Sequence, residues 1–411
     1  MYTKFRSKIY SVGDGFCYEG IIKSENKDDY HFIVDCGSCA PKKRGQKKGK
    51  LINKKECDDR LNEITDEVAH NNSHINLFIL THLHEDHLNG YEILFNKTQI
   101  DTIIMPYIYP EERLCLMIDD DVKDDDYVFL SRPYSEVLRL AREYNPEVRL
   151  VLIRGNNDSL DQVTINVPDS NNNVWGEGYA DSENILEIEG LENSYVEIVS
   201  VNSKGINISD FLWFFKLFNL EADENDVNNL KTIIGKLDAK KLYNIVIDPI
   251  ALANTKNKYK NIAKYYRNDI NNTSIVIYHS PIDCHSRCGS LLTGDIVLKR
   301  HNIASEILNY YKNEIEKVGF FSIPHHGSDD NWTKTFIDNG CLDNSVCFAS
   351  THNYYSNRMT ATMMSDLRCH NISTLVVDEN RFSEIEQVIC DLCYHHIFCE
   401  SQNKYKKVIV L

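Results

Sequence analysis

INLFILTHLHEDHLNG, Ile75 to Gly90, decides how the rest of the chain is read. Ile75 to Thr81 is a short apolar run of the kind that forms a buried strand. Behind it come His82, His84, Asp86 and His87, followed by Asn89-Gly90 as a turn signal. Alternate side chains of an extended segment point the same way, so His82 and His84 can grip one ion from one side. Asp86 and His87 fall where the chain turns and can serve a second ion beside the first. Three imidazoles and a carboxylate suit zinc, manganese or iron. An isolated histidine at a strand end is usually a solvated loop residue; this cluster behind a hydrophobic strand is read as ligands instead.

Around this stretch, 411 residues allow one large domain with insertions or two domains, and 42% hydrophobic residues supply a core. The 45 cations and 61 anions leave a formal charge of −16, which argues against a protein coated in positive charge for nucleic-acid binding. A nuclease is still compatible, because metal ions and a local basic patch can offset the average. Such a patch is PKKRGQKKGKLINKK, with cations at 42, 43, 44, 47, 48, 50, 54 and 55, although a solvated loop is the plainer reading. Asp119 to Asp126 reads as a solvated acidic loop. The N-terminus lacks the apolar core of a signal peptide, and Phe211 to Leu220 is too short to span a bilayer. The 13 cysteines are therefore expected reduced, in the cytoplasm, with no membrane partner. In the tail, Cys390, Cys393, His395, His396 and Cys399 read as packed thiols on a helical segment rather than a zinc site.

THLHEDHLNG resembles the HxHxDH signature of metallo-β-lactamase-fold hydrolases. SLLTGD, Ser290 to Asp295, is similar to the family's strand ending in a metal-bridging aspartate. IPHHGS, Ile323 to Ser328, resembles the version in the hydrolase domain of the DNA-uptake protein ComEC and its soluble relatives. The resemblance runs from about Tyr10 to Val376 and is interrupted in the middle. It implies an α/β fold, a four-layer αββα sandwich forming a single domain over 1–411. Within it, 110–270 is expected to be a largely helical insertion containing some core strands, and 377–411 a C-terminal extension.

The resemblance also implies two divalent ions, zinc or manganese, sharing Asp295. His82 and His84 would hold one, with Asn272 or a water completing it; Asp86, His87 and His325 would hold the other. His326 would protonate the leaving oxygen, while Ser328, Asn353 and Asn272 face the substrate. Asp35, in HFIVDCGS, matches the family's "IDxG" turn and is expected to support the loops around the metals. Two departures stand out. Many family members carry a histidine where Asn271 or Asn272 falls, whereas ComEC-type sequences have the Asn-x-x-Ser that Asn271 and Ser274 reproduce; His279 and His285 are weaker substitutes. THNYYSNR resembles the "NxYGHP" loop, but Asn357 and Arg358 stand where the family has His and Pro, and His352 lies nearby.

Among the secondary elements, Ser135 to Asn145 is expected to be a helix burying Val137, Leu140, Ala141 and Tyr144. Ile296 to Val318 reads as one long helix, and Trp213, Phe214, Phe215 and Phe218 read as core rather than a base-stacking platform. The function expected is hydrolysis of phosphodiester bonds, by a nuclease or phosphodiesterase, through a hydroxide bridging two metal ions. The substrate would be nucleic acid or a nucleotide, and a protein partner or homo-oligomer fits as well. An acyl hydrolase of the lactonase or thioesterase kind, or a non-catalytic metal-binding regulatory module, are the alternatives. Soluble relatives resemble effectors of bacterial defence against phage.

Overall fold

The structure, a computed structural model, describes residues 3–24, 27–38, 54–118, 126–155, 165–166, 196–201, 205–208, 211–220, 224–235, 237–282, 286–300, 302–352, 358–380, 383–390, 394–399 and 407–410. The cationic loop up to Asn53, the acidic loop from Asp119 to Asp125, and Cys39, His285, Asn353 and Asn357 lie outside these residues. So does the side chain of Asn272.

The chain begins with an antiparallel meander of β1 (Thr3–Ile9), β2 (Cys17–Ser24) and β3 (Lys27–Cys36). After the helix Lys54–Asn71 it continues in parallel with β4 (His74–Ile79), β5 (Gln99–Pro106) and β6 (Arg149–Gly155). A short β7 (Ile165–Asn166) belongs to a second sheet, and β8 (Val196–Val201) returns to pair with β6. The second sheet then grows through β9 (Gly205–Ile208), β10 (Trp213–Phe218), β11 (Val276–Pro281) and β12 (Gly289–Leu292), and on through β13 (Val318–Ser322), β14 (Val346–Ser350) and β15 (Ser373–Val377). Finally β16 (Ile385–Cys390), β17 (Tyr394–Cys399) and β18 (Lys407–Val410) extend the first sheet beyond β1. Among the described residues the sheets have ten and eight strands.

Strand composition follows from what covers each face. Along β4 the side chains of Ile75, Leu77, Phe78 and Ile79 are all buried, because a parallel strand covered on both faces is apolar on both. Leu77 and Ile79 face the second sheet, where Phe5, Tyr18, Phe32 and Val34 meet Trp213, Phe215, Ile277, Leu292 and Phe348. Phe78 faces outward, with Ile33, Ile103 and Leu150, onto the helices Lys54–Asn71, Pro110–Ile118 and Pro133–Tyr144. On the far side, Leu291, Phe321 and Cys347 carry the helices Ile303–Tyr310 and Ala361–Cys369. The order is therefore helix, sheet, sheet, helix: a mixed α/β, four-layer αββα arrangement. Leu230, Leu242 and Tyr259, from three helices of the middle section, join the helical layer over the first sheet. No described helix is long and apolar enough to cross a membrane.

Several local expectations need correction. The helix expected over 296–318 is confined to Ile303–Tyr310, entered through Asn302 in the left-handed region (φ 64) and followed by a tight turn into β13. The tail is not helical: β16 and β17 form an antiparallel hairpin. Their register sets Cys399 opposite Ile385, which at about 3.4 Å per residue puts it about 17 Å along the ladder from Cys390, too far for one ion. In the helix Pro133–Tyr144, Val137 and Ala141 are buried as expected, but Leu138 takes the place of Tyr144, which is 48% exposed. Trp213, Phe215 and Phe218 are core.

Beneath the helix Lys54–Asn71 lies a buried charge, Glu19, which accepts hydrogen bonds from Tyr10 Oη (2.7 Å) and His31 Nε2 (2.9 Å). Burial opposes its ionisation, but His31, Tyr10 and Lys8 outweigh this and hold the carboxyl below its ordinary range. A depressed carboxyl stabilises the fold above its unfolded pKa, and that stability is lost as pH falls through the folded value. Glu19→Gln is expected to lower stability to denaturant at pH 7 by about 2 kcal/mol. The gap from the parent should close below about pH 4, where the unfolded carboxyl takes up its proton. Denaturant titrations of both proteins across this range would check it; a gap independent of pH would count against the ionised form.

Candidate metal centre

The loops after β3, β4, β12, β13 and β14 gather at one end of the sandwich, as expected where parallel strands end. Asp35, wholly buried and in the left-handed region (φ 55), closes β3. Its Oδ1 accepts Thr81 N–H and its Oδ2 accepts Thr81 Oγ1–H, each at 2.7 Å. His87 Nδ1 donates to the same Oδ2, also at 2.7 Å. Because Thr81 has spent its hydroxyl hydrogen on Asp35, its oxygen accepts from His82 Nδ1 at 3.0 Å. Both imidazoles are thereby held with Nε2 pointing away from the carboxylate. His326 is set the same way, its Nδ1 donating to Ser350 O at 3.0 Å. Thus three histidines are oriented through Nδ1 and present Nε2, as metal-ligating histidines commonly are.

Asp295 lies in their midst, 2% exposed. Its Oδ2 is 3.5 Å from His82 Nε2 and 3.8 Å from His325 Nε2, whereas its Oδ1 is 3.4 Å from His87 Nε2 and 3.8 Å from His326 Nε2. Asp86 Oδ2 is 3.2 Å from His326 Nε2. Two groups have donor atoms all within 4.8 Å of one another: His82, His84 and Asp86, and Asp86, His87, Asp295 and His326. His325 is in neither group. Its side chain is 29% exposed, against 3% for His326.

The electrostatics suit a cation. Burial opposes the charge on Asp295, but His325, His326, His87 and His82 more than offset it and hold the carboxyl well below its usual range. Asp86 is likewise pulled down against burial, by the His326 hydrogen bond and by His87. Burial also pushes His84 down to about 3, so its imidazole is neutral, the ligating form. His87 goes the other way, because Asp295 and Asp35 outweigh burial and draw positive charge onto it. The residues fit a metal by a simple test: His82 Nε2 and His87 Nε2 are buried and make no hydrogen bond, which buried polar atoms seldom tolerate without an ion or a water.

Close backbone packing holds the loops together. Gly37 follows the Asp35 turn, and a Cβ there would lie 2.4 Å from the Asp86 carbonyl oxygen. His325, His326 and Gly327 have φ of 49, 56 and 73°, three left-handed residues in succession. For each of the two histidines that conformation costs about 1–2 kcal/mol.

Other candidate residues fall elsewhere. His279 points into the interior between the sheets, ringed by Phe5, Tyr18, Phe32, Trp213 and Phe215 and bonded to Tyr18 Oη at 3.0 Å. Burial pushes its pKa down to about 3. His352 Nδ1 bonds to Glu379 at 3.0 Å. Ser328 is buried, and its N–H donates to His325 O. Asn271 Oδ1 and Ser274 Oγ are buried without hydrogen bonds; Ser274 lies against Gly294, just before Asp295, and the next residue, Ile275, donates its N–H to the carbonyl of Thr81, just before His82. Sequence reasoning missed Thr81 and Ser350. Thr81 was legible as the hydroxyl between strand and first histidine, but Ser350 acts through its carbonyl, which leaves no trace in the sequence.

No protein-family model matches this chain, and a comparison with curated proteins gives no match. Among solved structures, it is similar to the metallo-β-lactamase fold protein YhfI from Bacillus subtilis, at 8% identity and a TM-score of 0.36 over 94% of this chain and 99% of that one. A diphosphatase from the PhnP family gives 10% identity and a TM-score of 0.33, over 94% and 99% of the two chains. A long form RNase Z from yeast gives 8% and 0.34, with all of this chain covering 49% of that one. Likeness this loose leaves the layer order and the donor set to define the class: an αββα protein with a His/Asp cluster fit for divalent metal.

Asp35→Asn is expected to weaken metal binding by about 10- to 100-fold while leaving the far-ultraviolet circular dichroism unchanged. Gly37→Ala should do the same by displacing the Asp86 backbone. Equilibrium dialysis with elemental analysis would decide, and full metal occupancy in both variants would refute the supporting role of this turn.

Proposed function

We propose that this cluster holds two divalent ions, zinc or manganese, and that the protein is a metal-dependent hydrolase of phosphodiester bonds. The observation that carries the reading is Asp295, whose two oxygens face different histidine pairs in a buried pocket. One ion would be held by His82 and His84 with Asp295, the other by Asp86, His87 and His326 with Asp295 shared between them. The first has fewer protein donors, which leaves room for water and for a substrate oxygen. Bound there, such a pair would supply Lewis acidity and lower the pKa of water towards about 7.

The chain's own residues then divide the work. Asp35, Thr81 and the Ser350 carbonyl keep three imidazoles turned inward. His325 and His326 exchange the roles that the sequence suggested. Both nitrogens of His326 are engaged, Nδ1 by Ser350 and Nε2 beside Asp86, which suits a ligand. Burial holds the imidazole of His325 below its ordinary pKa and so neutral, and His325 would take a proton from water and pass it from Nε2 to the leaving oxygen. Ser328 and Asn353 remain the proposed contacts for a phosphate oxygen, and Asn272, with Asn271 and Ser274, for a water on the first ion. The HHGS resemblance and the cations at 42–55 favour a nucleic acid or nucleotide over an ester.

Incubation with single- and double-stranded DNA, RNA and cyclic dinucleotides, with Mn²⁺, Zn²⁺ or Mg²⁺, should reveal cleavage that a chelator and Asp295→Asn abolish. His325→Ala should keep both ions and lose about 10²- to 10⁴-fold in kcat on unactivated phosphodiesters, with far less loss on a nitrophenyl phosphodiester that needs no proton. His326→Ala should lose an ion. Turnover of nitrophenyl carboxylic esters alone, with none of the phosphodiesters cut, would overturn the reading in favour of acyl transfer.

A further inference from the structure

The left-handed turn His325–Gly327 presents His326 to the cluster, and something must hold it in that conformation. Arg358 reaches it from a distant part of the chain. One guanidinium nitrogen, Nη1, donates to the His325 carbonyl oxygen, which also accepts Ser328 N–H at 2.9 Å. The other, Nη2, lies 3.6 Å from Asp14 Oδ2. Asp14 is itself fixed, because its Oδ1 accepts His352 N–H at 3.0 Å and Thr351 Oγ1 at 3.1 Å. The two charged side chains are 14% and 10% exposed, so water screens their attraction only weakly. Arg358 also pairs with Ser328 through the backbone, and Met359 N–H donates to Gly327 O at 2.8 Å.

We propose that Arg358 is a positioning residue: braced against Asp14, it clamps the His325 carbonyl and so fixes the turn that aims His326 at the metal cluster. The idea rests on the ligand role proposed for His326. A guanidinium suits the task because its planar fork reaches the carbonyl and the carboxylate at once, which a lysine cannot do. The clamp acts one peptide from His326, whose Nε2 is 3.2 Å from Asp86, so slackening it moves a ligand without unmaking the sheets.

The test uses Arg358→Ala, Arg358→Lys, Asp14→Asn and the double variant Arg358→Ala/Asp14→Asn. Amide exchange is followed in the metal-free protein, and Mn²⁺ binding by titration calorimetry. Exchange in a peptide spanning 325–328 is expected to quicken in every variant, while strand peptides such as 74–79 stay protected. Affinity for one of two ions should fall by about 10- to 100-fold, with lysine rescuing little and the double variant no worse than Arg358→Ala. Should Arg358→Ala fail to fold, Arg358→Lys and Asp14→Asn carry the same expectations. Unchanged exchange at 325–328 overturns the proposal, and so does quickened exchange with both ions bound as before. A wild-type protein that takes up no ion refutes the metal reading instead, and the exchange result alone then decides whether Arg358 holds the turn.

Discussion

Asp35 is a carboxylate with no exposure to solvent, and nearly every donor around it belongs to the loop that carries the histidines. It takes the Thr81 amide, the Thr81 hydroxyl and the His87 imidazole, each at 2.7 Å. A buried charge survives only if its hydrogen bonds are all made, so position and tautomer of these groups are fixed together. The left-handed backbone at Asp35 makes this possible, turning the chain sharply at the end of β3 so that the carboxylate faces the loop after β4. Gly37 then passes so close to the Asp86 carbonyl that no side chain could stand there. The neighbouring loop is therefore shaped from outside as much as by its own sequence.

The sandwich adds the second half of the site. Asp295 and His326 come from the second sheet, and they meet His82 and His87 because both sheets turn their C-terminal strand ends to the same edge. Phe16, stacked between His87 and Phe348, is one of the side chains that bind the two sheets there. The apolar interior has a further consequence: His279, on the strand next to the one ending at Asp295, is surrounded by rings and kept neutral. A histidine is thus excluded from the site not by distance along the chain but by the face of the strand on which it falls.

What could be read from the sequence follows from how locally each feature is encoded. The donors from His82 to His87 sit within one turn of chain, and alternation and strand ending suffice to place them. The apolar parallel strands declare themselves by composition. The helix expected over 296–318 failed because its apolar periodicity continues through Asn302 and beyond Tyr311, where left-handed backbone and a tight turn break it without proline or glycine. Tyr144 looked buried by period, yet Leu138 packs instead, because the helix meets its sheet over a face turned slightly from the one that the pattern suggested. The β16–β17 hairpin was hidden by cysteines and histidines, whose propensities distinguish helix from strand poorly.

The neighbouring His325 and His326 show most plainly where sequence stops. Two adjacent identical residues offer no internal sign of which faces inward; the backbone dihedrals decide, and these are imposed by partners far away. Ser350 receives one imidazole through a carbonyl that any residue would carry, and Arg358 holds the preceding carbonyl from beyond β14. An unexpected residue read by itself looks like a loss, and Arg358 reads in that way from the sequence. In the folded chain that arginine is bound to the turn that carries His325 and His326. A substitution in one loop and the geometry of another are then a single physical fact, visible only once the two are brought within a hydrogen bond.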